Sequence, residues 1–183
     1  MEIATLAGGC FWCTEAIFKR LNGIQLVTSG YSGGKIENPT YEQVSTGKTG
    51  YAESIEIVFD PQVISYDKIL DVFWHTHNPT TLNQQGNDVG TQYRSVIFYH
   101  NLKQKIIAEE SKVALENEKI YPEKIVTEIV PFISFYPAEH YHKDYYDKNK
   151  EDAYCTFIID PKIQKLMREY GNEVKKEYYS AAE

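Results

Sequence analysis

Residues 8–15, Gly-Gly-Cys-Phe-Trp-Cys-Thr-Glu, join an apolar run to a helical pattern and so decide the fold. The run, residues 3–7, predicts a strand, and the apolar residues at 16–18 and 21 predict a helix. The two glycines predict a tight turn, which puts Cys10 at the N-terminus of the helix. Free N–H groups and the helix dipole favour a thiolate there. The alternative is a small buried cysteine beside two core aromatic residues.

The neighbours of Cys10 indicate two kinds of chemistry. Phe11 and Trp12 suit a small apolar substrate group such as an S-methyl, although two core aromatic residues would have the same pattern. Cys13 lies one helical turn further on. This is the spacing of a redox dithiol, in which the second thiol resolves an oxidised first thiol.

Length and composition narrow the class of protein. The 183 residues predict one domain, 1–183, with a sizeable core. No apolar run is long enough to span a membrane, and no signal peptide is recognisable, so a cytoplasmic protein is expected. The net charge of −7 argues against nucleic acid as the main partner. Three cysteines in such a chain indicate reactive thiols or a metal site.

Local patterns predict most of the secondary structure. Strands are expected at residues 3–7, 23–29, 52–60, 95–99 and 125–130, with glycines breaking the second strand at residues 30–34. Helices are expected from Ser65 to about His77, and from Asn101 to about Glu118 with Leu102, Ile106, Val113 and Ala114 facing the core. A helical turn is expected at residues 40–44, and residues 80–91 form a long polar loop of the kind that is often functional.

The C-terminal part of the chain is expected to be irregular over residues 131–160, with a brief extended piece at Cys155–Ile159. A terminal helix is expected over residues 161–179, and residues 180–183 should fray. The element order indicates an α/β (α+β) fold, a two-layer sandwich of helices on a mixed or antiparallel sheet. An antiparallel or mixed sheet fits better than a parallel one, because the loop between the second and third strands shows no full crossover helix. The expected core is a ferredoxin-like plait.

Two further chemistries are open at this point. Glu53, at the mouth of the third strand, is a candidate acid if burial raises its pKa, and otherwise an ordinary solvated carboxylate. Cys10, Cys13, His140, His142 and Cys155 could be assembled as zinc ligands, although their spacing does not match a strong zinc pattern.

Six sequence blocks resemble the peptide methionine sulfoxide reductase family, A type. The blocks are Gly8-Gly9-Cys10-Phe11-Trp12, Tyr31-Ser32-Gly33-Gly34, Asn38-Pro39-Thr40-Tyr41, Gly50-Tyr51-Ala52-Glu53, residues 85–95 (Gln-Gly-Asn-Asp-Val-Gly-Thr-Gln-Tyr-Arg-Ser) and Ala138-Glu139-His140-Tyr141-His142. They occur in the family's order and cover about residues 5–160. Together they are far more specific than any one of them.

The resemblance implies a role for each matching residue. Cys10 would attack the sulfoxide sulfur while Phe11 and Trp12 hold the methyl group. Glu53 would protonate the sulfoxide oxygen, which the hydroxyls of Tyr41 and Tyr93 would also bind. Asp88 would support the site through polar contacts. These seven residues carry the family's implied site.

The resemblance also implies a reaction sequence. Methionine leaves and Cys10 becomes a sulfenic acid, a second thiol condenses with it, and thioredoxin reduces the disulfide. The family acts on the S epimer at sulfur, free or in peptides, in the repair of oxidised proteins. No bound cofactor and no metal are expected, and the chain is expected to act as a monomer.

The chain departs from the family's pattern at three positions. Tyr51 replaces the usual His, and Asn78 replaces the usual Asp. Cys13 stands where many members have Gly, which leaves the resolving thiol open between Cys13 and Cys155. Cys155 is favoured because it follows Tyr154 in a tail that looks mobile, whereas a disulfide within one helical turn must meet strict geometry.

Other functions remain open on the residues alone. A general thiol-disulfide oxidoreductase using Cys10 and Cys13 would explain the dithiol, but not Glu53 or the 85–95 block. A zinc-stabilised binding module would use the Cys and His residues structurally. A third alternative binds the sulfoxide without reducing it.

Overall fold

The computed structural model describes residues 1–179 of the chain, so the expected fraying of residues 180–183 lies outside its range. Its strands are β1 (Glu2–Gly8), β2 (Ile24–Ser32), β3 (Ala52–Phe59), β4 (Gln84–Gln85), β5 (Asp88–Val89), β6 (Ser95–Tyr99), β7 (Glu128–Pro131) and β8 (Phe135–Pro137). Its helices are α1 (Phe11–Phe18), α2 (Tyr41–Ser45), α3 (Tyr66–Thr76), α4 (Leu102–Glu118), α5 (Tyr145–Lys148) and α6 (Asp160–Tyr170).

Six of these strands form one sheet in the order β7-β6-β1-β3-β2-β8. The central four, β6, β1, β3 and β2, pair antiparallel, with α1 between β1 and β2 in the chain and α3 between β3 and β6. This is the connectivity of the expected ferredoxin-like plait. The edge strand β7 runs parallel to β6, whereas β8 is antiparallel to β2, so the sheet is mixed. The predicted fold class is therefore confirmed.

The core lies between the sheet and its helices. Ile55, Ile57 and Phe59 of β3 are fully buried, as their alternation predicts. They share one hydrophobic cluster with Ile69 and Phe73 of α3, whose first turn is capped by the Ser65 hydroxyl. Among residues 1–179 no helix is both long and apolar enough to cross a membrane.

The second strand is longer than the sequence indicates, because Gly30 does not break it. β2 continues through Gly30 and Tyr31 to Ser32, where it pairs with β8. A Cβ at Gly30 would collide with the carbonyl oxygen of Tyr136 and lie 2.8 Å from Cε1 of Phe135. The glycine therefore marks a close approach between two strands.

Replacing Gly30 by Ala should weaken this edge of the sheet. We expect the free energy of unfolding to fall by about 1–3 kcal/mol, because the added methyl group overpacks the β2–β8 contact. Denaturant unfolding followed by circular dichroism would measure the change. Gln25→Ala, at an exposed position of the same strand, is the control and should change stability by less than about 0.5 kcal/mol. Equal stability of both variants would contradict the close contact.

The predicted inner face of α4 is wrong. Leu102, Ile106, Val113 and Ala114 are exposed, whereas Gln104, Ala108 and Leu115 are buried. Polar side chains on the true inner face explain the error. The Gln104 amide donates to the carbonyl of Ile3 at 2.7 Å, and the hydroxyl of Ser111 accepts from the Trp74 indole at 3.0 Å. A helix face that contacts the rest of the protein through hydrogen bonds carries polar residues, so hydrophobic periodicity does not identify it.

The C-terminal region is more regular than expected. β8 lies within the stretch predicted to be irregular, and Cys155–Ile159 form a wide helical turn leading into α6, not an extended piece. α6 ends at Tyr170, short of the predicted residue 179, and residues 171–173 and 176–178 form 3-10 turns. The strand predicted at residues 125–130 lies at Glu128–Pro131. β8 pairs with β2, β7 pairs with β6, and α6 packs against α1, and local sequence does not report these contacts.

Candidate active site

Cys10 lies at the N-cap of α1, as the glycine turn predicts. Gly9 has φ +90°, and a Cβ there would lie 2.5 Å from Cγ of Gln85, so this turn requires glycine. The carbonyl of Cys10 accepts the N–H of Cys13 at 3.1 Å, which closes the first helical turn. The Cys10 side chain is nearly buried, with 7% of its surface exposed at the floor of a cavity.

That cavity has a volume of about 210 Å³, and the seven residues of the implied site all line it. Its walls are Cys10, Phe11, Trp12, Tyr41, Glu53, Asp88, Tyr93 and Tyr154. Residues from β1–α1, α2, β3 and the 80–93 segment meet there. The 80–91 loop contains the short β4–β5 hairpin, which carries Asp88, and a 3-10 turn at residues 91–93, which carries Tyr93.

Glu53 is buried, which excludes its interpretation as a solvated carboxylate. Only 2% of its surface is exposed, and its Oε2 accepts the backbone N–H of Phe11 at 3.0 Å. Burial raises the pKa of Glu53 to about 8, and the charges of Asp88 and Cys13 act in the same direction, against the Phe11 hydrogen bond. Glu53 is therefore largely protonated at neutral pH and can act as an acid.

The surroundings of Cys10 act against the thiolate that the helix start predicts. Burial raises the pKa of Cys10 well above its usual range, and the side-chain hydrogen bond with Cys13 and the charge of Glu53 add to this rise. The pKa of Cys13 is lowered to about 6 by the hydrogen bond from Cys10 and by the charge of Lys162, despite its burial. Burial therefore opposes a thiolate at Cys10, and the hydrogen bond between the two thiols favours the charged form of Cys13.

The cavity also holds phenol groups that keep their protons. Burial, followed by the charge of Glu53, raises the pKa of both Tyr41 and Tyr93. Burial raises the pKa of Tyr154 as well, and its hydroxyl donates to Oδ2 of Asp88 at 2.7 Å. The site thus offers protonated hydroxyls beside a protonated carboxyl group.

The indole of Trp12 is held by three residues to which the sequence assigned no role in binding a sulfoxide. Its Nε1–H donates to Nδ1 of His142 at 3.1 Å, and its ring stacks on Tyr145 with centroids 3.7 Å apart. Tyr154 contacts the indole edge-on at 5.8 Å. The His142 ring also lies 4.9 Å from that of Phe11. His142 lies in one of the six sequence blocks, which marks it as a candidate. The aromatic stretch that follows has no hydrophobic periodicity, so the contacts of Tyr145 and Tyr154 with Trp12 could not be predicted.

Glu139, in the same block as His142, ties the 138–142 segment to the cavity wall. Its carboxylate accepts the N–H of Tyr41 at 2.7 Å and the hydroxyl of Tyr31 at 2.9 Å. These hydrogen bonds, with a weaker contribution from His142, lower the pKa of Glu139 even though burial acts against them. The segment therefore supports the positions of α2 and of the Phe11–Trp12 pair.

The third cysteine is buried rather than part of a mobile tail. Cys155 has no exposed surface, and it packs in one cluster with Cys10, Cys13, Tyr146 and Ile159. Burial raises its pKa to about 11. The three cysteines are all free thiols. Cys155 therefore does not lie in an exposed tail, and the resolving thiol stays a prediction that is open between Cys13 and Cys155.

The arrangement of the His, Cys, Asp and Glu side chains tests whether the predicted zinc ligands come together. Within residues 1–179, no group of three or more His, Cys, Asp or Glu side chains is arranged to hold a metal ion. The five Cys and His residues considered as zinc ligands are thus not assembled as a ligand set.

Comparison with known proteins gives matches along nearly the whole chain. Residues 2–175 match the family model described as peptide methionine sulfoxide reductase. The peptide methionine sulfoxide reductase MsrA of Sulfolobus acidocaldarius is 57% identical over 173 residues, which are 94% of this chain and 97% of that protein.

Solved structures are similar as well. The crystal structure of Mxr1 from Saccharomyces cerevisiae in reduced form has a TM-score of 0.79 and 37% identity, covering 84% of this chain and 88% of that one. The structure of Mxr1 in complex with Trx2 has a TM-score of 0.57 and 28% identity, covering 79% and 84%. Sequence and fold comparisons therefore agree.

Proposed function

The chain belongs to the peptide methionine sulfoxide reductase family, and from this premise we propose that it reduces the S epimer of methionine sulfoxide, free or in proteins, to methionine. One observation carries the proposal: the Cys10 thiol and the protonated Glu53 line the same small cavity. Sulfoxide reduction needs a sulfur nucleophile and an acid on either side of a single S=O bond, and this cavity brings them together.

The substrate would lie with its methyl group against Phe11 and Trp12. Phe11 is almost fully buried, and Trp12 is fixed by its hydrogen bond to His142 and its stacking on Tyr145. The two rings are already held in position, so they form an apolar wall and lose little conformational entropy when the substrate binds. The sulfoxide oxygen would then face Glu53, Tyr41 and Tyr93.

In the first step the Cys10 sulfur attacks the sulfoxide sulfur as Glu53 gives its proton to the oxygen. The proton of the Cys10 thiol passes along its hydrogen bond to the Cys13 sulfur. The S–O bond of the substrate breaks and the protonated oxygen leaves as hydroxide, so that Cys10 is joined to the substrate sulfur by an S–S bond. Hydroxide then attacks the Cys10 sulfur, the S–S bond breaks with its electron pair on the substrate sulfur, methionine leaves, and Cys10 is a sulfenic acid. The hydroxyls of Tyr41 and Tyr93 donate to the oxygen as its negative charge grows, which lowers the barrier.

The cycle is completed by thiols. Cys13 or Cys155 condenses with the sulfenic acid and releases water, and thioredoxin reduces the resulting disulfide. The complex of yeast Mxr1 with Trx2 supports this choice of reductant. Reduction of oxidised methionine in proteins would make the chain a repair enzyme, and a cytoplasmic location fits a thioredoxin-dependent cycle.

A racemic sulfoxide tests both the activity and the epimer preference. With a peptide containing methionine R,S-sulfoxide and dithiothreitol, we expect conversion to stop near half, because one orientation of oxygen and methyl group fits the acid and the aromatic wall. Chromatography of the product peptide would measure this, with sulfoxide and dithiothreitol alone as the control. Complete consumption would refute the epimer preference, and no conversion would refute the activity.

The alternative, a general thiol-disulfide oxidoreductase, rests on the low pKa of Cys13 beside Cys10. A dithiol of this kind would reduce insulin disulfides. It would not need the buried acid Glu53 or the phenols around it. Insulin reduction without any sulfoxide reduction would favour this function over the one proposed.

A further inference from the structure

We propose that Thr91 and Gln92 are positioning residues for the reduction, because they hold the two cavity phenols at a fixed distance from each other. The phenols are those of Tyr41, at the start of α2, and Tyr93, in the 3-10 turn at residues 91–93. The proposal rests on the proposed function and adds two residues to it. Neither Thr91 nor Gln92 lines the cavity, so each would act through the tyrosines and not on the substrate.

The two phenols are carried by short elements. α2 has five residues, and the turn that carries Tyr93 has three. Helical pieces this short are not stable by themselves, so contacts with the rest of the protein must fix their positions. A tyrosine hydroxyl lies far from its own backbone, so a small rotation of either element moves it appreciably. A displacement of about 1 Å can cost on the order of 100-fold in rate.

Two side chains of the turn bind the end of α2. The hydroxyl of Thr91 donates to the carbonyl of Gly47 at 2.7 Å. The amide of Gln92 donates to the carbonyl of Ser45, the last residue of α2, at 3.2 Å. The last carbonyls of a helix have no partner within it. The turn therefore supplies donors that α2 lacks, and these bonds join the two elements that carry the phenols.

Further contacts hold both elements in this arrangement. Arg94, directly after the turn, donates to the carbonyl of Thr91 at 3.0 Å and to the carbonyl of Gly50 at 2.9 Å. At the other end of α2, the N–H of Tyr41 is bound by Glu139. α2 is thus held at both ends, and the bonds from Thr91 and Gln92 are the ones that join it to the turn carrying the second phenol.

The surroundings of Gln92 fit its amide closely. Only 5% of its surface is exposed, and it lies between two glycines. A Cβ at Gly90 would collide with its Oε1, and a Cβ at Gly47 would lie 3.2 Å from the same atom. Within residues 1–179 this Oε1 has no hydrogen-bond partner, and a buried acceptor without a partner is unfavourable. Fold stability therefore does not account for a glutamine here, whereas the bond to Ser45 does.

Replacing Thr91 by Val tests the first bond, because Val keeps the shape of the side chain and removes its hydroxyl. We expect methionine formation in a single turnover, followed by rapid quench, to slow about tenfold, the rate equivalent of one hydrogen bond. Thr91→Ser should restore the rate. The loss should fall on the rate and not on substrate affinity, because the phenols bind the oxygen most strongly as its charge grows. A wild-type rate in Thr91→Val would overturn the proposal.

Thr81→Val is the matched control. Thr81 lies in the same 80–91 loop, but its hydroxyl donates to the carbonyl of Gln84 at 2.6 Å, within that loop. The rate of this variant should stay within about twofold of the wild type. An equal loss in Thr81→Val and Thr91→Val would show that any weakened bond in the loop slows the reaction, which would refute a specific role for Thr91.

A double-mutant cycle with Tyr93→Phe separates positioning from a general loosening of the structure. If Thr91 acts through the phenol of Tyr93, Thr91→Val should cost less than about threefold once that hydroxyl is absent. The same loss in both backgrounds would mean that Thr91 acts on the structure as a whole, and the positioning role would be wrong.

Replacing Gln92 by Met tests the second bond. Met removes both the donor and the unpaired oxygen, so the midpoint of thermal unfolding should stay within about 3 °C of the wild type. Methionine formation should nevertheless slow about tenfold. An unchanged rate, or a slower rate with a clearly lower midpoint, would remove Gln92 from the proposal.

The wild type shows which of the two proposals fails. If the wild type forms no methionine from the sulfoxide peptide, the proposed function is wrong. If the wild type and Thr91→Val form methionine at the same rate, the proposed function stands and only the positioning role is refuted.

Discussion

Replacing Cys10 by Ser is expected to abolish sulfoxide reduction with either dithiothreitol or thioredoxin. The Ser hydroxyl cannot become an anion at neutral pH in a site that already raises the pKa of a thiol. It also cannot accept the oxygen atom as a sulfenic acid, so no first step remains. Methionine formation in a single turnover, measured by chromatography, should fall below detection.

The control for this variant is Cys155→Ser, which removes another buried thiol of the same cluster. It should still form one methionine per chain in a single turnover, because the first step involves only Cys10 and the acid. Residual reduction by Cys10→Ser at more than about a thousandth of the wild-type rate would show that another group attacks the sulfoxide.

Replacing Glu53 by Gln is expected to slow the first step by about 10²–10⁴-fold, the range typical of a lost general acid. Gln keeps the shape of the side chain and can still accept the N–H of Phe11. It cannot release a proton to the sulfoxide oxygen. Substrate affinity should therefore change little while the rate of methionine formation falls, and rapid-quench kinetics would separate the two. A rate within about threefold of the wild type would exclude Glu53 as the acid.

The pH dependence of the first step provides a second test of Glu53. The rate should rise with pH as the thiol pair loses its first proton, since the pKa of Cys13 lies at about 6. It should fall above pH 8, because Glu53, with a pKa of about 8, ionises and no longer donates. The charged and titratable groups around Glu53 are Asp88, Cys13, Cys10, Tyr41 and Tyr93. In Glu53→Gln the fall above pH 8 should disappear.

Several parts of the site could be predicted from the sequence, and these are parts carried by local motifs. The two glycines before Cys10 form a turn within a few residues, so the sequence predicts that Cys10 lies at the start of α1. The location of Glu53 near the start of β3 is likewise predicted from the local strand pattern. The contacts of His142 and Tyr154 with Trp12 could not be predicted. They join Trp12 to residues 130 or more positions away in the chain, and that aromatic stretch has no periodicity that would predict them.

The sequence by itself determined the family, the order of the central strands and helices, and the residues that surround Cys10. Turn residues, the alternation of apolar and polar residues in strands, and helix capping all depend on residues that are close together in the sequence. These features can therefore be read from the sequence alone. Only the tertiary structure decided that β8 extends the sheet, that Cys155 is buried, and that burial raises the pKa of Glu53 and of Cys10. A pKa depends on burial and on charges brought from distant parts of the chain, such as Lys162 against Cys13, and those distances exist only after folding.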